Sequence, residues 1–152
     1  MTDDRRIPPA ALALGLAGVL PFAWGALTLY WPAAEALTLR TLGPRFVAPF
    51  VSLQYGVVIL SFMSGVLWGF ATRMDRGAAA GYALSVIPAL WAFFMVGAGP
   101  VSSALNLIIG FVGLLALDFT FWQNGFAPRW WMRLRVLLTL LVVACLAPIA
   151  LS

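Results

Sequence analysis

The chain has 152 residues, 63% of them hydrophobic and 9% charged, with a mean hydropathy of +1.00, against roughly 45–50% apolar and about 25% charged residues in soluble domains. That composition excludes a soluble fold, which could not hide so much apolar surface. The net charge of +4 rests on nine basic residues, all arginine, which stand singly or in pairs at the ends of apolar runs; they mark membrane topology and exclude nucleic-acid binding as their meaning.

The chain contains no histidine and one cysteine, Cys145, which lies inside an apolar run. The usual ligands of haem, copper, zinc and non-haem iron are therefore missing, as is the base of a Ser-His or Cys-His arrangement. No cofactor, metal or catalytic activity is expected.

A hydrocarbon core of about 30 Å takes about 20 apolar residues of helix, and five runs reach that length, at about 7–30, 46–71, 77–97, 101–122 and 133–151. The expected fold is all-α: a single transmembrane domain of five helices over residues 1–152. The first run is too long for the h-region of a cleaved signal and is expected to stay in the membrane. Pro8 and Pro9 suit a helix start, and Pro21 should kink the span. The segment WPAAEALTLRTLGPR, 31–45, is too polar to cross. It predicts a short interfacial helix carried by Ala33 to Leu39 and ended by Gly43-Pro44.

The second span holds QYGVVILSFMSGVLWG, in which Ser61, Gly65 and Gly69 fall at a four-residue step. Residues four apart share a helix face, and small side chains there let a neighbouring backbone approach in a bilayer. The charged turn TRMDRG leads at once into the third span, where Gly77, Gly81 and Ser85 repeat the step. The two spans should form a hairpin packed on these small faces. Pro88 then breaks the backbone ladder in mid-span and frees a carbonyl that needs a partner.

Asp118 is the one carboxylate within a predicted span. It lies about 25 Å along the fourth helix, near the inner interface, where Arg133 and Arg135 are the candidate partners of an intramembrane ion pair. Gln54 and Asn106 both fall toward the outer side, and with Tyr55 and Ser61 they form a candidate polar pocket, suited to a quinone headgroup or a lipid. Arg129, Trp130 and Trp131, at the junction before the fifth span, are candidates for contact with anionic headgroups such as cardiolipin.

With the N-terminus inside, Arg5, Arg6, Arg73, Arg76, Arg129, Arg133 and Arg135 lie inside and only Arg40 and Arg45 outside. The positive-inside rule therefore places the N-terminus in the cytoplasm and the C-terminus in the periplasm.

The strings YGVVILSFMSGVLWG (55–69), IPALWA (87–92) and LD (117–118) followed by GFAPRWWMRLRVLLT (125–139) resemble a family of bacterial inner-membrane proteins, classed as a domain of unknown function, that includes mitochondrial transmembrane protein 69. The resemblance covers nearly the whole chain. It implies a small polytopic protein of the bacterial inner membrane or the mitochondrion and brings no activity. Members often carry His before the tryptophan of the second-span motif, where this chain has Leu67, so no role built on an imidazole carries over. The expected function is non-catalytic: an accessory subunit or assembly factor of a larger membrane complex, for instance a respiratory one, with lipids and other membrane subunits as partners. The alternatives are a small transporter or channel using Gln54, Asn106 and Asp118, or a lipid- or quinone-binding protein.

Overall fold

A computed structural model describes residues 6–152; Arg5, counted above in the charge balance, lies outside them. Among the described residues all regular structure is helical. The first span is two helices, α1 (Pro9–Ala17) and α2 (Leu20–Tyr30). The break falls at Gly18-Val19, just before the expected kink. Pro21 has no N–H to give the carbonyl of Ala17 four residues back, and the chain turns instead through three-residue steps, with the Val19 N–H on Leu16 O and the Phe22 N–H on Val19 O, both at 3.0 Å.

The interfacial segment forms α3 (Pro32–Thr41). Its stop is set by Gly43 at φ 89°, a left-handed conformation suited to glycine, followed by a 3-10 turn at Pro44–Phe46. The second span begins later than its apolar run suggests, because Phe46 closes that turn and Val47 to Pro49 stay outside the helix: α4 is Phe50–Ala71. The hairpin partner α5 (Ala78–Met95) starts after Gly77, whose φ of 74° makes it the turn residue and not part of a packing face. Helix α6 is Pro100–Gln123 and α7 is Trp131–Ala150, the latter beginning ahead of its apolar run so that Arg133 and Arg135 are helical. Five of these helical segments, counting α1 and α2 as one, are long and apolar enough to cross a membrane.

Helices α4 and α6 form the middle of the bundle. Helix α5 packs on both from one side; α2 packs on α4 and α7, and α1 reaches α7. The core between them holds Phe22, Leu60, Leu67, Leu107, Phe111, Leu114 and Leu146, all essentially inaccessible. The outer surface is as apolar as the core, with Phe62, Phe93, Phe94 and Leu140 exposed, which is the arrangement a lipid environment permits.

The face that α4 turns inward is Ser52, Gly56, Leu60, Ser64, Leu67 and Ala71. The expected seam of Ser61, Gly65 and Gly69 is rotated away from it: Ser61 is exposed, and a side chain on Gly65 or Gly69 would meet nothing within 4 Å. On α5, by contrast, Gly81 and Ser85 are buried, and a Cβ on Gly81 would fall 3.1 Å from that of Ala71. The hairpin is thus closed by Gly81 of α5 against Ala71 and Met74, with the step on α4 left outside.

Gly110 permits a close approach of α6 to its neighbours, since a Cβ there would lie 2.9 Å from Leu60 Cδ1 and 2.9 Å from Trp91 Cδ1. The indole cannot yield freely, because its Nε1 donates to the Asn106 carbonyl at 2.7 Å. Replacing Gly110 by Val should destabilise the fold by about 1–3 kcal/mol through overpacking. Gly113→Val, in open space one turn along, should leave the unfolding midpoint in detergent nearly unchanged.

Candidate functional site

The chemistry-bearing side chains gather where α6 ends and α7 begins. Asp118 sits in the last turns of α6 with none of its surface accessible, and Arg135, one turn into α7, is 5% exposed. Arg135 Nε donates to Asp118 Oδ2 at 2.6 Å, and the Trp131 indole N–H donates to Asp118 Oδ1 at 2.8 Å. Both carboxylate oxygens are therefore held by α7, from residues one turn apart on the same face. Arg133, two residues from Arg135, is carried to the opposite side and is exposed. Of the two candidate partners for Asp118, only Arg135 makes the pair.

The sequence offers Trp131 for headgroup contact. It turns inward instead, half-buried, with its ring edge-on to Phe70 at 5.2 Å between centroids. At the same end of the bundle, Trp122, Arg129, Met132 and Arg133 line an open surface hollow, and Arg73 Nη1 donates to the Phe126 carbonyl at 3.1 Å, tying the α4–α5 turn to the α6–α7 junction.

The proposed pocket of Gln54, Tyr55, Ser61 and Asn106 is not assembled. Gln54 is exposed beside Pro21 and Arg45. Asn106 Nδ2 donates to the Met95 carbonyl at 2.7 Å, fastening α6 to the end of α5. Ser61 faces outward, and the serine that bridges helices is Ser64, whose Oγ accepts the backbone N–H of Ala89 at 2.9 Å. That bond falls next to Pro88 and pairs the first backbone N–H after the proline with a neighbouring helix.

Gln54 and Tyr55 share a hollow of about 230 Å³ beside Pro21 and Arg45, and Tyr55 also faces a second cavity. It has a volume of about 450 Å³ and lies beside the α1–α2 break, between α4 and α7, with Phe111 of α6 at its back. Phe22 and Tyr55 meet edge-on at 5.3 Å, and Phe22 and Phe111 at 6.0 Å. Its rim includes Leu14, Val58 and Phe62, all exposed, so it opens sideways to the surrounding lipid. Arg135 and Thr139 are among its walls, and Arg135 Nη2 and Thr139 Oγ1 are buried without a hydrogen-bond partner. The spacing Trp131, Arg135, Thr139 was readable as one helix face; the orphaned donors were not.

Five apolar spans, an outer surface of exposed aromatic and aliphatic side chains and a charged pair sealed between two helices define a small polytopic integral membrane protein. The family described as protein of unknown function (DUF3429) matches residues 7–151, and the chain belongs to it. It is 31% identical over 141 residues to transmembrane protein 69 of Xenopus tropicalis, covering 90% of this chain and 51% of that protein. It is 30% identical over 138 residues to transmembrane protein 69 of Mus musculus, covering 88% and 52%. The chain thus spans about half the length of the curated relatives it matches. No solved structure matches it.

The Trp131 bond to Asp118 is a hydrogen bond to a charged group, of a kind that contributes about 1.5–3 kcal/mol. Trp131→Phe retains a ring against Phe70 and loses only the donor. Unfolding in detergent should show a stability loss in that range, without loss of helical circular dichroism at ambient temperature.

Proposed function

We propose that this protein is a non-catalytic membrane component that works by docking against another membrane protein, as an accessory subunit or assembly factor. The observation that carries the reading is the outward step on α4. Gly25, Gly56, Gly81 and Gly110 are each closely met by side chains of a neighbouring segment, while among the described residues nothing lies within 4 Å of a Cβ on Gly65 or Gly69, and Ser61 above them is exposed.

In a bilayer, lipid tails are as apolar as leucine, so helices associate through close backbone approach and interhelical hydrogen bonds, and small residues four apart are the usual means. The occupant that fits is a transmembrane helix of a partner subunit, which can lie along the groove over two turns and meet the Ser61 hydroxyl. The membrane proposed is the bacterial inner membrane, with the arginine-rich α4–α5 and α6–α7 junctions cytoplasmic and the C-terminus periplasmic. Arg129 and Arg133 suit anionic headgroups such as cardiolipin there. A proton-coupled transporter is the weaker reading: Asp118 is already engaged on both oxygens, and Gln54 and Asn106 lie against different partners.

Gly65→Leu with Gly69→Leu places two side chains in open space on the outer face. The variant should unfold at the same temperature as the parent and lose the partner in a native pull-down from mild detergent. A parent chain that elutes alone and monomeric, with no partner to lose, would contradict the docking role.

A further inference from the structure

The cavity beside the break in the first span has the makings of a ligand site separate from the outward face of α4. It is apolar on most of its wall, aromatic at its back through Phe22 and Phe111, and open toward the lipid past Leu14 and Phe62. Arg135 and Thr139 both contribute to this wall from α7, one helical turn apart, and just behind its surface Arg135 Nη2 and Thr139 Oγ1 are buried with no hydrogen-bond partner. A buried polar group left unpaired costs free energy that a hydrogen bond recovers. An occupant whose acceptor they meet as the two side chains turn toward the cavity would satisfy both.

The charge of the occupant follows from the Asp118–Arg135 pair. Arg135 is already neutralised by a carboxylate at 2.6 Å. A second carboxylate or phosphate placed on Nη2 would leave one uncompensated negative charge in a low-dielectric interior, which is strongly disfavoured. An uncharged carbonyl accepts both hydrogen bonds without that penalty. We propose that this cavity binds a bilayer-soluble molecule through an uncharged carbonyl oxygen held by Arg135 Nη2 and Thr139 Oγ1, with its apolar body against Phe22 and Phe111. Two lipid-phase sources share this chemistry: the ring carbonyl of an isoprenoid quinone and the ester carbonyl of an acyl lipid.

The test is calorimetric binding to the full chain in mild detergent with four probes: a decyl-benzoquinone, a long-chain fatty acid methyl ester, the corresponding free fatty acid ionised at pH 9, and an alkane of equal length. The quinone or the ester should bind at least tenfold more tightly than the alkane and the ionised acid. Preference for the quinone identifies a quinone as the source, and preference for the ester identifies an acyl lipid. Thr139→Val, which keeps the shape and removes the hydroxyl, should weaken the preferred carbonyl probe by about fivefold, leave alkane binding unchanged and leave the empty protein no less stable. Thr139→Ser should restore the affinity. Equal affinity for alkane and carbonyl probes, tightest binding by the ionised acid, or a Thr139→Val effect common to all probes would each overturn the assignment.

Discussion

The arrangement of this chain depends on the neutralisation of one buried charge. An ionised carboxylate taken out of water without a partner is too costly to persist, and Asp118 is fully enclosed. Its two oxygens are taken by Arg135 and Trp131, both from the first turns of α7, so the pair fixes how far α7 is rotated and at what height it meets α6. Once that register is set, the next turn of α7 brings Thr139 to the cavity wall beside the first span. The ion pair, the α6–α7 contact and the cavity are in this sense consequences of one electrostatic requirement.

Elsewhere the helices are held in register by smaller polar exchanges. Ser64 of α4 takes the N–H of Ala89 beside the proline of α5, and Asn106 of α6 fastens the end of that helix through the Met95 carbonyl. The Thr28 hydroxyl of α2 donates to the Gly25 carbonyl and accepts the Ala48 N–H, which binds the start of the second span to the end of the first. Where lipid surrounds the protein, apolar burial gives helices little reason to choose one neighbour over another, and such bonds together with close glycine contacts supply the choice.

The spans, the hairpin turn and the residue that would pair with an arginine were all legible in the sequence, because each follows from a strong rule: the thickness of hydrocarbon, the charge of TRMDRG, the cost of a buried carboxylate. Rotation about each helix axis was not. In a soluble helix the polar face points out, but here Leu67 within the core and Phe62 toward lipid are equally apolar, so spacing marks a face without saying which way it looks. The spacing of Ser61, Gly65 and Gly69 therefore marks a face that turns out to look outward, and it is Ser64, three residues from Ser61, that bonds to the neighbouring helix. The sequence offers Trp131 for headgroup contact for a related reason: its position at the head of an apolar run suits either role, and only the height of Asp118 on the facing helix turns it inward.

The central claim is that Asp118 and Arg135 act as one neutral unit joining α6 to α7, and a double-mutant cycle measures that directly. Asp118→Asn and Arg135→Gln, each unfolded reversibly in the same detergent, should separately cost about 3–5 kcal/mol, since each strands a buried charge. The double variant should be no less stable than the worse of the two. Losses that add to within about 0.5 kcal/mol would mean that the two groups do not depend on each other, and the account built on their pairing would be contradicted.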